Sequence, residues 1–286
     1  MPKIRHKNAP IGAEEADITG FTFRVLPCVS VAKKGFPHAV PQIPGHDCIM
    51  STRGTAAAPK PPAHRANPMR LPWNEIDSVL LDMDGTLLDL HFDNHFWREH
   101  VPLRYAERHG LALESAKETL YPKFHSVEGR MEWYCVDHWS RELELDIAGL
   151  KREVDHLITV HPHVIEFLDR IRAAGKRIVL VTNAHHKALE LKMHHTCLGG
   201  HFDRLVCAHD YGKPKEEPSF WNWLREREPF QPERALFVDD SLPVLRSAQH
   251  YGIRHLLCVR QPDSKSPPRD IDEFPAITRF DEIMPG

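Results

Sequence analysis

VLLDMDGTLLD, residues 79–89, reads as an apolar strand that ends on two acids and then turns sharply. Val79 to Leu81 are apolar with no polar alternation, the pattern of a strand buried on both faces of a parallel sheet. Asp82 falls at the strand's C-terminal end, Asp84 two residues on, and Gly85-Thr86 turn the backbone. In open α/β sheets that edge is where ligands bind. Two carboxylates held together repel unless a cation neutralises them, and magnesium, a hard ion, takes carboxylate, carbonyl and phosphate oxygens. The competing reading is a turn in which Asp82 and Asp84 only cap backbone amides, and the motif alone leaves it standing.

Outward from this stretch, further apolar runs alternate with amphipathic ones. RIVLVT (177–182), RLVCA (204–208), ALFVDD (235–240) and HLLCV (255–259) read as strands; 163–174, 186–196, 217–227 and 241–251 read as helices between them. The alternation predicts a doubly wound parallel α/β sheet. The gap between the first two strands is too long for one crossover helix. Residues 91–160 fill it with aromatic-rich, helix-forming sequence, an expected helical cap inserted into a core of 71–90 plus 161–286.

Three more strand ends carry chemistry. VLVTNA (179–184) ends in Thr182 and Asn183, which can donate to phosphate oxygens, although a strand-end Thr is usually only a cap. YGKPKEEPSFW (211–221) offers Lys213 and Lys215 to balance carboxylate and phosphate charge, against the alternative of solvated loop lysines. LFVDDS (236–241) ends in the vicinal acids Asp239 and Asp240, which again call for a cation. Asp-x-Asp, Thr-Asn, Lys and Asp-Asp in that order at successive strand ends make a chance origin hard to sustain.

In that order and context the four motifs resemble those of the haloacid-dehalogenase superfamily, over residues 75–260. The resemblance implies a Rossmann-like sheet with a cap inserted after the first motif, and a Mg²⁺-dependent phosphoryl transfer. Asp82 is then the nucleophile, and Asp84 the general acid for the leaving alcohol and the base for the hydrolytic water. Thr182 and Asn183 bind phosphate. Magnesium falls to Asp82, the Asp84 backbone carbonyl, and Asp240 directly, with Asp239 beside it through water. Lys215 fits the family spacing, with Pro218 and an aromatic, Trp221, six residues on; Lys213-Pro214 matches only the dipeptide. An acid at Asp84 separates phosphatases and phosphomutases from dehalogenases, which lack it.

LLDLHFDNHFW (87–97), EWYCVDHWS (132–140) and VTNAHHKALELKMHHT (181–196) resemble the bacterial GMP/IMP 5′-nucleotidases, which implies a purine nucleotide substrate. Phe92, Phe96, Trp97, Trp133, Tyr134 and Trp139 recur at helical spacings and either stack on a purine or form the cap's own core. Asp93 and Asp137 either accept a hydrogen bond from guanine or hypoxanthine or are solvated helix acids. His185, directly after Thr182-Asn183-Ala184, is a candidate contact to phosphate or ribose.

The chain has 286 residues, 41% hydrophobic and 27% charged, the composition of a globular protein. A net charge of −3 suggests no nucleic-acid affinity, and no run of about eighteen apolar residues is present to span a membrane. The six cysteines lack CxxC pairs and the 21 histidines lack a repeated ligand spacing. The cysteines point to reduced thiols in a cytoplasm and away from a disulfide frame or a zinc site, and the histidines read as ordinary loop and polar-face residues. Residues 1–70 hold ten of the 24 prolines with no sustained period, so they read as a disordered, mildly basic extension, and Met69 as a candidate start. Within enzymes the alternatives are a sugar-phosphate or phosphoglycolate phosphatase or a β-phosphoglucomutase-like enzyme; outside them, an inert binding module of the same fold. Acids kept at all four positions argue against the last, since unpaired acids are costly to keep.

Overall fold

In the computed structural model of the protein the described residues are 70–286; the expected N-terminal extension lies outside them. Six parallel strands form one sheet in the order β3-β2-β1-β4-β5-β6. They are β1 Ser78–Leu81, β2 Arg177–Thr182, β3 Arg204–Cys207, β4 Ala235–Asp239, β5 His255–Val259 and β6 Ala276–Ile277. The first five fall on the apolar runs; the two-residue β6 is too short to leave a pattern in the sequence. Val79 and Leu81 pack into one buried layer and Leu80 into the other, and in β4 Leu236 and Val238 divide from Ala235 and Phe237 in the same way. This two-sided burial is why the strands show no polar alternation.

The connecting helices α7 Val164–Ala173, α8 His186–Thr196, α9 Pro218–Arg227 and α10 Leu242–Tyr251 match the amphipathic stretches. Pro218 and Pro243 sit in the first turns of α9 and α10, where a missing N–H costs nothing. The chain winds to β2 and β3 on one side of β1 and to β4, β5 and β6 on the other. The order therefore reverses beside β1, and its end opens at a topological switch point.

Between β1 and α7 the described residues hold helices, turns and two isolated β-bridges at Leu88, and no strand. The α-helices are α1 His91–His95, α2 Val101–His109, α3 Leu113–Ser126, α4 Met131–Tyr134, α5 Val136–Leu143 and α6 Ile147–Glu153. The segments that leave and rejoin the sheet run together, with Asp89 N–H donating to Thr159 O (2.9 Å) and His161 N–H to Leu87 O (2.9 Å). A π-helical turn, Phe96–His100, joins α1 to α2. Pro102 cannot donate to the carbonyl four residues back, and the Tyr121 hydroxyl caps that Arg98 oxygen instead at 3.0 Å. Phe92, Phe96 and Trp139 are fully enclosed and form this helical layer's own core.

Candidate active site

The end of β1 presents Asp82, whose N–H is held by Val238 O (3.0 Å) as though the strand continued beside β4. Its carboxylate is buried and Oδ1 accepts a hydrogen bond from Lys215 Nζ at 2.5 Å. The same ammonium donates to Asp239 Oδ2 (2.7 Å) and Val181 O (3.0 Å), so one lysine ties the ends of β1, β2 and β4 together. Burial pulls this ammonium down, but Asp239 and Asp82 more than compensate and hold it above the ordinary lysine range.

Lys215 is itself fixed from behind. Its amide donates to Asn183 Oδ1 (2.9 Å), and the Trp221 indole donates to its carbonyl (3.1 Å) and to Ser247 Oγ (2.9 Å). The aromatic six residues after the lysine is thus a brace on the lysine's backbone. Lys213 is exposed. Thr182 Oγ1 accepts the Ala184 amide at 3.0 Å and is buried. Asn183 Nδ2 donates to Glu216 Oε2 (2.9 Å), whose Oε1 accepts from the Tyr134 hydroxyl (2.6 Å). Glu216 therefore joins the helical layer to the sheet edge, a link the sequence did not announce.

Asp82, Asp239 and Asp240 bring carboxylate oxygens within 4.8 Å of one another. Asp239 is committed to Lys215 and, through Oδ1, to the Ser241 amide (2.8 Å). Among the described residues the Asp240 carboxylate has no hydrogen-bond partner: Arg269 stays 3.9 Å away. Burial, then the charges of Asp239 and Asp82, push the Asp240 carboxyl well above the ordinary range; burial pushes Asp82 up to about 6 against the pull of Lys215. Three hard oxygen donors with one lysine among them are short of positive charge, and this donor set fits a divalent cation such as Mg²⁺. Gly85 completes the turn with φ +82°, and a Cβ there would lie 2.9 Å from Asp240 Cγ, so any side chain is strained and crowds Asp240.

Asp84 does not join that trio. Its Oδ1 accepts from Lys192 Nζ (2.7 Å), which also donates to Asp93 Oδ2 (2.6 Å), and Lys151 Nζ donates to Asp93 Oδ1 (2.9 Å). Lys151 lies over the Phe96 ring, 4.3 Å from its centroid. Burial pushes Asp84 up to about 6; it acts on Asp93 too, but Lys151 and Lys192 hold that acid down near 2. Of the two readings of Asp93, the solvated helix acid is corrected here, because both its oxygens are held by buried ammonium groups, although the residue still lines the cavity described below. Lys192 and Lys151 were missed. The signal for Lys192 is its place on α8, four residues after Ala188 and three after Leu189, on the face that the helix buries.

A cavity of about 560 Å³ runs from these carboxylates toward the helical layer. Thr182, Asn183, His185 and Lys215 line it from the sheet, and Trp97, Tyr121, Phe124, Trp133 and Tyr134 from the helical layer. The six aromatic residues singled out in the sequence divide accordingly: Trp97, Trp133 and Tyr134 face the cavity, the other three are core. Asp137 is outside the lining and pairs with Lys187 (2.5 Å). His185 caps α8 by accepting the Lys187 amide at Nδ1 (3.2 Å).

The family model of haloacid dehalogenase-like hydrolases matches residues 76–252. The chain belongs to the haloacid dehalogenase-like hydrolases. It is similar to the GMP/IMP nucleotidase YrfG of Escherichia coli strain K12, 38% identical over 218 residues, which are 76% of this chain and 98% of that protein. The Shigella flexneri protein of the same name matches equally. A crystal structure of a HAD phosphatase from Thermococcus onnurineus superposes with a TM-score of 0.61 at 23% identity, over 72% of this chain and 95% of that one, and shares the fold. Family, fold and enzyme class agree with the expectations drawn from the four motifs. Among the described residues no helix is long and apolar enough to cross a membrane.

Proposed function

We propose that the protein is a Mg²⁺-dependent 5′-nucleotidase of the cytoplasm that releases phosphate from GMP and IMP through an aspartyl-phosphate on Asp82. The observation that carries this reading is the cavity itself, acidic and lysine-bearing along the sheet and aromatic along the helical layer. A phosphomonoester of an aromatic base has that same polarity of charge and stacking surface. The 38% identity to YrfG supports it independently.

Asp82, Asp239 and Asp240, with the Asp84 carbonyl, would hold Mg²⁺, which offsets the repulsion between a carboxylate and a phosphate dianion. Thr182 and Asn183 bind the phosphate oxygens, Lys215 supplies positive charge beside them from its place on Asp82 and Asp239, and His185 lies nearby. Asp82 attacks phosphorus, its new P–O bond forming as the bond to the 5′-oxygen breaks, and Asp84 gives its proton to that oxygen. The ionised Asp84 then takes a proton from water, which attacks the aspartyl-phosphate and frees inorganic phosphate. Lys192 and Asp93 aim Asp84 for both transfers.

Against the helical layer the purine stacks among Trp97, Phe124 and Trp133. Arg98 and His125 are the donors available to O6 there, and Glu128 the acceptor available to N1–H. AMP has no N1–H and forgoes that hydrogen bond; Glu128 is exposed and stays solvated, so the loss is about 0.5–1.5 kcal/mol, or roughly twofold to tenfold in kcat/KM. The test is kcat/KM for GMP, IMP, AMP, UMP and a sugar phosphate, with magnesium and after chelation. A lead for GMP and IMP that disappears on chelation and returns with magnesium is expected; equal values for GMP and AMP, or a lead for the sugar phosphate, would remove the nucleotidase assignment.

A further inference from the structure

Beside the carboxylate cluster, and outside the cavity except for one shared residue, three groups of different chemistry meet. Cys135 sits in the turn between α4 and α5, His185 follows β2, and His209 lies in the 3-10 turn Ala208–Asp210 after β3. One ligand atom from each falls within 4.8 Å of the other two. The His185 and His209 rings stand edge to face with centroids 4.9 Å apart. Cys135 is in no disulfide.

His209 is the informative member. Its Nε2 is sealed from solvent and finds no hydrogen-bond partner among the described residues, while the ring is also hydrogen-bonded to the Asn183 backbone. An imidazole with one sealed, unpartnered nitrogen, standing in a cluster with a thiol and a second imidazole, has a lone pair to offer a metal. Burial also holds His209 down to about 4, so that nitrogen keeps its lone pair at neutral pH.

We propose that Cys135, His185 and His209 bind a borderline-soft divalent cation, zinc in the first instance, and that its occupancy ties the α4–α5 turn to the sheet edge and slows turnover. One thiolate and two imidazoles are three of the four ligands zinc takes, and they are the donors that magnesium, a hard ion, does not favour. Binding releases the Cys135 proton to solvent. In His185 the metal takes Nε2, the ring proton moves to Nδ1, and the Lys187 amide turns to water. The fourth position stays open to water or to a phosphate oxygen entering the cavity.

Cobalt(II) is the probe, because its spectrum reports a sulfur ligand. The full-length protein, stripped of metal and reloaded with excess magnesium to fill the carboxylate site, is titrated with Co²⁺ and separately with Zn²⁺. The wild type should show a sulfur-to-cobalt charge-transfer band that saturates at one equivalent and that Zn²⁺ abolishes. Cys135→Ser and His209→Ala should lose it. Cys135 is the N-cap of α5, with the His138 amide on its sulfur at 3.3 Å, and serine is a favoured N-cap, so the first variant keeps the fold. With p-nitrophenyl phosphate and saturating magnesium, Cys135→Ser should raise the half-inhibiting zinc concentration at least about tenfold, a 1.4 kcal/mol change in binding. A cobalt spectrum without the sulfur band, a band that survives in Cys135→Ser, or equal zinc inhibition of both proteins would overturn the assignment. The spectrum needs no turnover, so it stands apart from the identity of the substrate.

Discussion

Replacing Lys192 with methionine tests the ionic chain that holds Asp84. Methionine keeps most of the stem, which is 2% exposed, and removes the ammonium that donates to Asp84 and Asp93. Breaking a fully buried pair by removing one partner costs about 3–5 kcal/mol. Two features reduce that here: Asp84 and Asp93 are 22% and 17% exposed, and Asp93 keeps Lys151 at 2.9 Å. The expected loss is therefore about 2–4 kcal/mol. Adding Asp84→Asn removes the stranded charge and leaves the Asp93–Lys151 pair intact. The double variant should accordingly be more stable than Lys192→Met by about 1 kcal/mol or more, the scale of coupling between directly bonded groups. Urea unfolding of the wild type, both single variants and the double variant, read by midpoint and slope, gives the full cycle. A loss below about 0.5 kcal/mol, the range of surface substitutions, would show that Lys192 carries no buried charge pair. No recovery on adding Asp84→Asn would refute the link to Asp84.

Two further variants probe the reacting edge. Gly85→Ala should cost about 1–2 kcal/mol from its left-handed backbone alone and should weaken magnesium binding further, because the new Cβ displaces Asp240; denaturation and a magnesium titration of activity measure the two effects. Asp84→Asn should lower kcat for GMP by about 10²–10⁴-fold through lost proton transfer. With p-nitrophenyl phosphate, whose leaving group needs no proton, the phosphoenzyme should accumulate, since its hydrolysis still lacks a base; single-turnover kinetics that show no accumulation would contradict the role given to Asp84.

The core was legible because its signals are local. An unbroken apolar run such as Val79–Leu81 can only be a two-faced strand, and the acids follow it directly in sequence. Lys215 was separable from Lys213 by the spacing to Trp221, and the structure supplies the reason in the indole's bond to the lysine's carbonyl. What escaped depends on contacts distant in sequence. Asp93 reads as a helix acid until Lys151 and Lys192 are seen on either side of it. Glu216 matters only because Tyr134 and Asn183 meet there. Cys135, His185 and His209 come from three separate segments, so no CxxC or HxxxH spacing could announce them.

The central claim is a phosphoryl group carried on Asp82. Protein mixed with GMP and magnesium, quenched in acid within a single turnover and digested, should yield the peptide containing Asp82 with one added phosphoryl group. Hydroxylamine should remove that group, as it does from an acyl phosphate, and Asp82→Asn should neither form the adduct nor release phosphate. Turnover of GMP with no adduct on that peptide at any quench time, or near-native phosphate release by Asp82→Asn, would contradict the covalent mechanism.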